Sequence, residues 1–213
     1  MSCPICNKRK ATRYCPAKGE KICAVCCGTE REVTIDCPVD CAYLVAAHRY
    51  EEEHRKPIAP SEVPFPDVEF PSDLVHERRD VVSGLGYTIL KFGVAQPALV
   101  DADAMAALGA LAETHRTLIS GIYYEKPPEA ALAGTLYGEL AKILEDFKQR
   151  EADRAGFTRL KDTDIFHLLV FLLRVGRSRT NGRPRTRGCL EFLRAQFPQA
   201  PELARAQSRI ITP

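Results

Sequence analysis

Residues 3–27 read CPICNKRKATRYCPAKGEKICAVCC, and six of the chain's nine cysteines fall inside this stretch. Cys37 and Cys41 follow shortly after it, and Cys189 stands far away. Cys3-Pro-Ile-Cys6 and Cys23-Ala-Val-Cys26 are C-x2-C turns, tight loops in which two thiolates reach one ion about 2.3 Å away. Asn7, just past the first pair, can take the left-handed conformation such a turn needs. In Cys37-Pro-Val-Asp-Cys41, Pro38 suits the first turn of a helix. Both thiols would then share one face near the positive helix end, which favours their ionisation.

The adjacent pair Cys26-Cys27 decides how the thiols divide. Neighbours on extended backbone point to opposite faces, so two such thiols are badly placed to share one tetrahedral ion. The expected partition is Cys3, Cys6, Cys23 and Cys26 on one ion, with Cys15, Cys27, Cys37 and Cys41 on a second. His48, on the same helical face as Cys41 but roughly 10 Å further along the axis, is a possible substitute for one thiol. Eight thiolates leave no open coordination position, so the two zinc ions are expected to be structural. An iron–sulfur cluster using four of the thiols, or disulfides, are the competing readings.

Between the cysteine pairs, Pro16 to Gly19 is a turn signal for a hairpin, and REVTID (31–36) reads as a strand. Knuckle, hairpin and helix together resemble a treble-clef or cross-brace zinc finger of the HIT, MYND and B-box classes. That resemblance covers residues 1–56 and implies contacts with a protein partner. Residues 57–213 resemble no named family.

The cysteine-rich module, residues 1–56, is too small and too poor in large apolar residues to fold on burial alone. Residues 57–71, PIAPSEVPFPDVEFP, hold five prolines and read as an extended, semi-rigid linker. An all-α domain follows over 72–200, with 201–213 as a flexible tail. Ser72 is a candidate cap for a helix to about 93, which Gly84 and Gly86 can interrupt. Apolar steps of three and four from Met105 to Ile122 predict a second helix, capped by Asp101 or Asp103. Pro127-Pro128 open a third, with Leu132 to Phe147 on one face and Gly156 after its stop. A fourth runs from Asp162 or Thr163 to about Arg174, apolar nearly all round and therefore central. A short fifth covers about 187–197. The expected fold is mainly α, a small α+β zinc finger followed by a helical bundle.

Composition sets the class: 213 residues, 45% hydrophobic, 27% charged, net charge +2. No apolar run is long enough to span a membrane, since IFHLLVFLL (165–173) is short and carries His167. With no export signal at the start, a reducing cytoplasmic setting is the expectation. Charge is uneven, with eleven cations against eighteen anions over 57–173 and nine arginines against two anions over 174–213. Arg174, Arg177, Arg179, Arg183, Arg185 and Arg187 surround a turn at Asn181-Gly182 and Pro184, so they are expected on an exposed loop. Such a loop is a candidate contact for nucleic acid or another anionic partner. Gly182-Arg183-Pro184 resembles the core of an AT-hook, with Asn181 where that motif has a further arginine.

Enzyme signatures are missing: no H-E-x-x-H, P-loop, G-x-G-x-x-G or G-x-S-x-G occurs. His76, His115 and His167 are isolated, and the pairs Asp101/Asp103 and Asp162/Asp164 lie where helix caps belong. Tyr123-Tyr124 can stack bases but reads first as packing. Cys189, at the start of a helix, reads either as a reactive thiol or, beside Leu190, Phe192 and Leu193, as a small buried hydrophobe. The expectation is a non-catalytic zinc-binding adaptor whose finger binds a protein and whose arginine loop contacts an anionic partner. A pure protein-interaction module is the alternative, and an enzyme of unknown chemistry the third reading.

Overall fold

A computed structural model describes residues 1–69, 71 and 73–198. The chain is mainly helical, with one small two-stranded sheet near its start. It forms two compact units, one of residues 1–57 with 180–188 and one of residues 58–179 with 189 onward. The inclusion of 180–188 with the N-terminal residues differs from the continuous boundaries expected from composition.

In the first unit, β1 (Arg13–Cys15) pairs antiparallel with β2 (Glu20–Ile22), Tyr14 lying opposite Lys21. The hairpin closes as expected at Pro16 to Gly19: the Lys18 and Gly19 amides donate to the Cys15 carbonyl at 3.1 and 2.9 Å. Gly19 takes φ +68, which its missing Cβ permits. Helix α1 (Ala24–Glu30) begins inside the second C-x2-C pair, with Cys23 as its N-cap. Residues 31–36 do not form the expected strand: Arg31 and Ile35 make an isolated bridge around a turn in which Glu32 has φ +54. The helix expected from Pro38 starts later, as α2 (Ala42–Glu53), with Cys41 at its N-cap; Cys37 to Cys41 form a turn closed by the Cys41 amide on the Pro38 carbonyl. The buried cluster of this unit consists of Ile22 and Ile35 among Cys3, Cys15, Cys23 and Cys26. With Leu44 of α2, three buried large apolar side chains are far fewer than an unaided domain of this size buries.

The second unit contains α3 (Leu74–Glu77), α4 (Arg79–Ala95), α5 (Asp101–Ile119), α6 (Ala131–Ala155), α7 (Asp162–Arg179) and, from its second residue on, α8 (Gly188–Gln196). Helix α5 packs on α6 and α7, and α4 on α6. Its core includes Leu85, Ile89, Leu108, Leu111, Leu140, Ile165 and Leu168. Helix α7 buries most of its length, as its all-round apolar pattern requires. Gly84 and Gly86 lie inside α4 without breaking it, and Gly84 lets the Phe147 ring of α6 approach closely. Gly156, φ +79, ends α6 in the left-handed conformation. The Ser72 cap and the tail 201–213 lie outside the described residues.

Two further local features depart from the sequence reading. The proline-rich stretch holds a single 3-10 turn, Pro60–Glu62, and its Phe65 and Val68 pack on the helical core. Phe65 meets Phe166 edge-on at 5.5 Å, so the stretch is docked, not a free spacer. Asp101 does not cap its own helix: Val100 is the N-cap of α5, and its amide donates to Asp103. Asp101, 1% exposed, instead accepts the Cys189 and Leu190 amides at 3.0 and 3.3 Å and so caps α8.

Candidate metal centre and the arginine loop

The two C-x2-C turns converge. The Sγ atoms of Cys3, Cys6, Cys23 and Cys26 all lie within 4.8 Å of one another, a group that could hold a metal ion. Cys6 Sγ and Cys23 Sγ are 3.9 Å apart, close to the edge of about 3.8 Å that a tetrahedron with arms of about 2.3 Å has. Local backbone prepares the sulfurs. Asn7, at φ +53, folds the first knuckle back so that its amide donates to the Cys3 carbonyl at 2.7 Å. At the second, the Cys26 amide donates to Cys23 Sγ at 3.3 Å, using an otherwise orphan N–H of the first turn of α1.

Electrostatics mark the four as a set. Hydrogen bonds from the Lys8 and Arg9 amides pull the Cys6 thiol down to about 6. Burial raises Cys3, but amide donors from Cys23, Cys6 and Ile5 outweigh it and leave the thiol lowered. Burial, and then the neighbouring sulfurs, push Cys26 up to about 12. Four thiols this close resist joint ionisation unless a cation compensates them, which fits a metal-binding tetrathiolate.

The other four cysteines are less tightly gathered. Cys15 and Cys41 both lie within electrostatic reach of Cys37: burial raises the Cys37 thiol, the Glu32 amide opposes, and Cys41 and Cys15 raise it further. Cys27 Sγ is 4.0 Å from the Arg31 guanidinium. Among the described residues these four do not converge as the first four do. His48 places Nε2 3.1 Å from Glu32 Oε1.

Glu32 is a site the sequence does not announce. Its side chain is 4% exposed and also accepts from Asn181 Nδ2 at 3.0 Å, while its carbonyl accepts the Arg185 amide at 2.8 Å. Burial opposes its charge, but the His48 and Asn181 hydrogen bonds and the His48 charge hold its carboxyl below the usual range. Glu32 takes φ +54, and the letters Arg31-Glu32-Val33 carry no glycine or asparagine that would signal it.

The six arginines are largely engaged within their own units. In the first, Arg183 Nη1 donates to the Arg31 and Gly28 carbonyls at 2.7 and 3.2 Å, at the C-terminal end of α1. Arg187 pairs with Asp36 at 3.1 Å, and Arg185, half-exposed, lies 3.9 Å from the same carboxylate. In the second, Arg174 donates to the carbonyls of Pro64, Phe65 and Val68. Arg177 pairs with Glu62 at 2.9 Å, and the Arg179 guanidinium sits over the Phe192 ring at 4.2 Å.

The remaining polar candidates have structural partners. Asp162 accepts from Lys148 at 3.1 Å and lies 3.1 Å from His115 Nδ1. Burial lowers His115, with the Asp162 charge opposing. Cys189 is buried, and burial with Asp101 pushes its thiol up to about 12, the opposite of an activated nucleophile. No helix among the described residues is long and apolar enough to cross a membrane. No protein-family model, curated protein or solved structure matches this chain.

Proposed function

We propose that the chain is a non-catalytic zinc-binding adaptor, in which metal ions build the N-terminal unit and that unit presents a binding surface. The observation that carries this reading is the convergence of Cys3, Cys6, Cys23 and Cys26 in a unit whose apolar cluster is too small to hold it together. Zinc is the ion, because four thiolates without an open position suit it and leave no room for substrate. It supplies cross-linking and no chemistry. The chain's own residues do the rest: Asn7 and the α1 N-terminus aim the knuckles, and amide donors favour the thiolates of Cys3 and Cys6. A second ion is held by Cys15, Cys27, Cys37 and Cys41, a reading supported by the nearness of both Cys15 and Cys41 to Cys37. Binding the ion draws Cys27 in, and Cys26 and Cys27 serve different centres.

The arginine loop is, in this reading, part of the finger's framework more than a phosphate contact, since Arg183 and Arg187 already have carbonyl and carboxylate partners. Chelation tests the proposal. A strong chelator under reducing conditions should abolish amide protection across residues 13–30 while the helices of the second unit keep theirs. Unchanged protection in a metal-free sample would overturn it.

A further inference from the structure

With the arginine loop largely engaged internally, the unpartnered positive charge lies elsewhere, on the knuckle and hairpin of the finger itself. Residues 1–23 carry six cations against the single carboxylate of Glu20. Five of them, Lys8, Arg9, Lys10, Lys18 and Lys21, are exposed. The sixth, Arg13, stacks on Tyr43 at 4.7 Å. Lys8, Arg9 and Lys10 follow directly on the Cys3–Cys6 knuckle, and the Ser2–Lys10 bridge ties the end of this run to the chain start.

The hairpin adds two further exposed cations and an aromatic ring. Tyr14 and Lys21 are directly opposed in the β1–β2 pair and therefore share one side of the pleat, while Cys15 and Ile22 fill the other. Tyr14 is 56% exposed, a flat aromatic face beside cations. Lys18 projects from the turn joining the two strands. Part of this charge compensates the anionic tetrathiolate, but the excess is greater than a dication and four thiolates leave uncompensated.

We infer that the knuckle and hairpin face of the finger binds single-stranded nucleic acid, with Lys8, Arg9, Lys10, Lys18 and Lys21 on phosphates and a base stacked on Tyr14. Cations alone would suit any polyanion. The exposed Tyr14 ring beside Lys21 favours an unpaired strand, whose bases are free to stack on an aromatic platform. This inference rests on the adaptor reading and names the partner class of its finger.

The test uses the full zinc-loaded chain and a fluorescent oligothymidine 20-mer, titrated at 50 and 200 mM salt. Five phosphate contacts to a single strand should make affinity fall roughly 100-fold between those salts. The combined variant Lys8→Ala, Arg9→Ala, Lys10→Ala should bind more weakly and lose only about 7-fold. Tyr14→Ala should weaken binding roughly tenfold at both salts, because stacking is not screened. A triple variant that binds as the parent does overturns the inference. So does a duplex bound as tightly as the single strand with Tyr14→Ala silent, or a polyglutamate peptide bound as tightly as the oligonucleotide. Zinc is measured in the same sample. Zinc-loaded protein that leaves the oligonucleotide free sinks this inference alone, whereas metal-free protein sinks the adaptor reading beneath it.

Discussion

Replacing Arg183 with alanine removes one guanidinium and leaves the Gly28 and Arg31 carbonyls without that donor. A hydrogen bond to a charged group contributes about 1.5–3 kcal/mol net. Both contacts are only part-buried, so the low end applies and the pair together is worth about 2–3 kcal/mol. Arg185→Ala is the internal control, since its guanidinium is half-exposed and 3.9 Å from Asp36, a geometry worth about 0–1 kcal/mol. Lysine at 183 should recover little, because a point-charge ammonium cannot reproduce the planar fork. Amide hydrogen exchange reads the difference. The Glu32 amide, bonded to the Ile35 carbonyl, and the Arg185 amide, bonded to the Glu32 carbonyl, report on the segment that Arg183 ties down. Their protection should fall by roughly 30- to 150-fold in Arg183→Ala, with amides of α6 unaffected. Equal losses in the two alanine variants, or none in either, would refute the view that loop 180–188 is built into the finger.

Other consequences follow from the helical unit. Asp101→Ala should cost about 3–5 kcal/mol in denaturant unfolding, because it strips a buried cap from the Cys189 and Leu190 amides. Gly84→Ala puts a Cβ 2.6 Å from the Phe147 ring. The resulting displacement should outweigh the gain in helix propensity and lower stability by about 1–2 kcal/mol. Burial lowers His115 in the folded chain, with Asp162 and Glu145 opposing and Lys148 assisting. Its contribution to stability is therefore complete above the ordinary histidine range and is lost as pH falls through that range toward the lowered folded value. Thermal melts between pH 7.5 and 5 should show this loss, and His115→Gln should flatten the curve; an unchanged curve would contradict the assignment.

Signals that act over a few residues were legible in the sequence. C-x2-C spacing foretold which four thiols converge, since each pair is set by its own tight turn and Asn7 takes the left-handed conformation that turn requires. Apolar periodicity likewise located α5, α6 and α7 to within a few residues at most ends, although α7 runs on to Arg179. Features made by distant partners were hidden. Asp101 looks like the cap of α5, yet it serves α8, which only the folded chain brings to it. The β-rich letters of REVTID suggested a strand, but two strands already complete the sheet and the segment turns back at Glu32. Arginine density suggested a solvated loop, because nothing in residues 174–187 reveals that the carbonyls of Gly28 and Arg31 await a donor.

The central claim is that four thiolates hold the ion that builds the N-terminal unit. Its most direct test is the zinc-to-protein ratio of the purified full chain, measured beside Cys23→Ser and Cys189→Ser. Two zinc ions per parent chain, one in Cys23→Ser and two in Cys189→Ser are expected. A Cys23→Ser variant that retains all its zinc, or a parent chain that carries none, would contradict the claim.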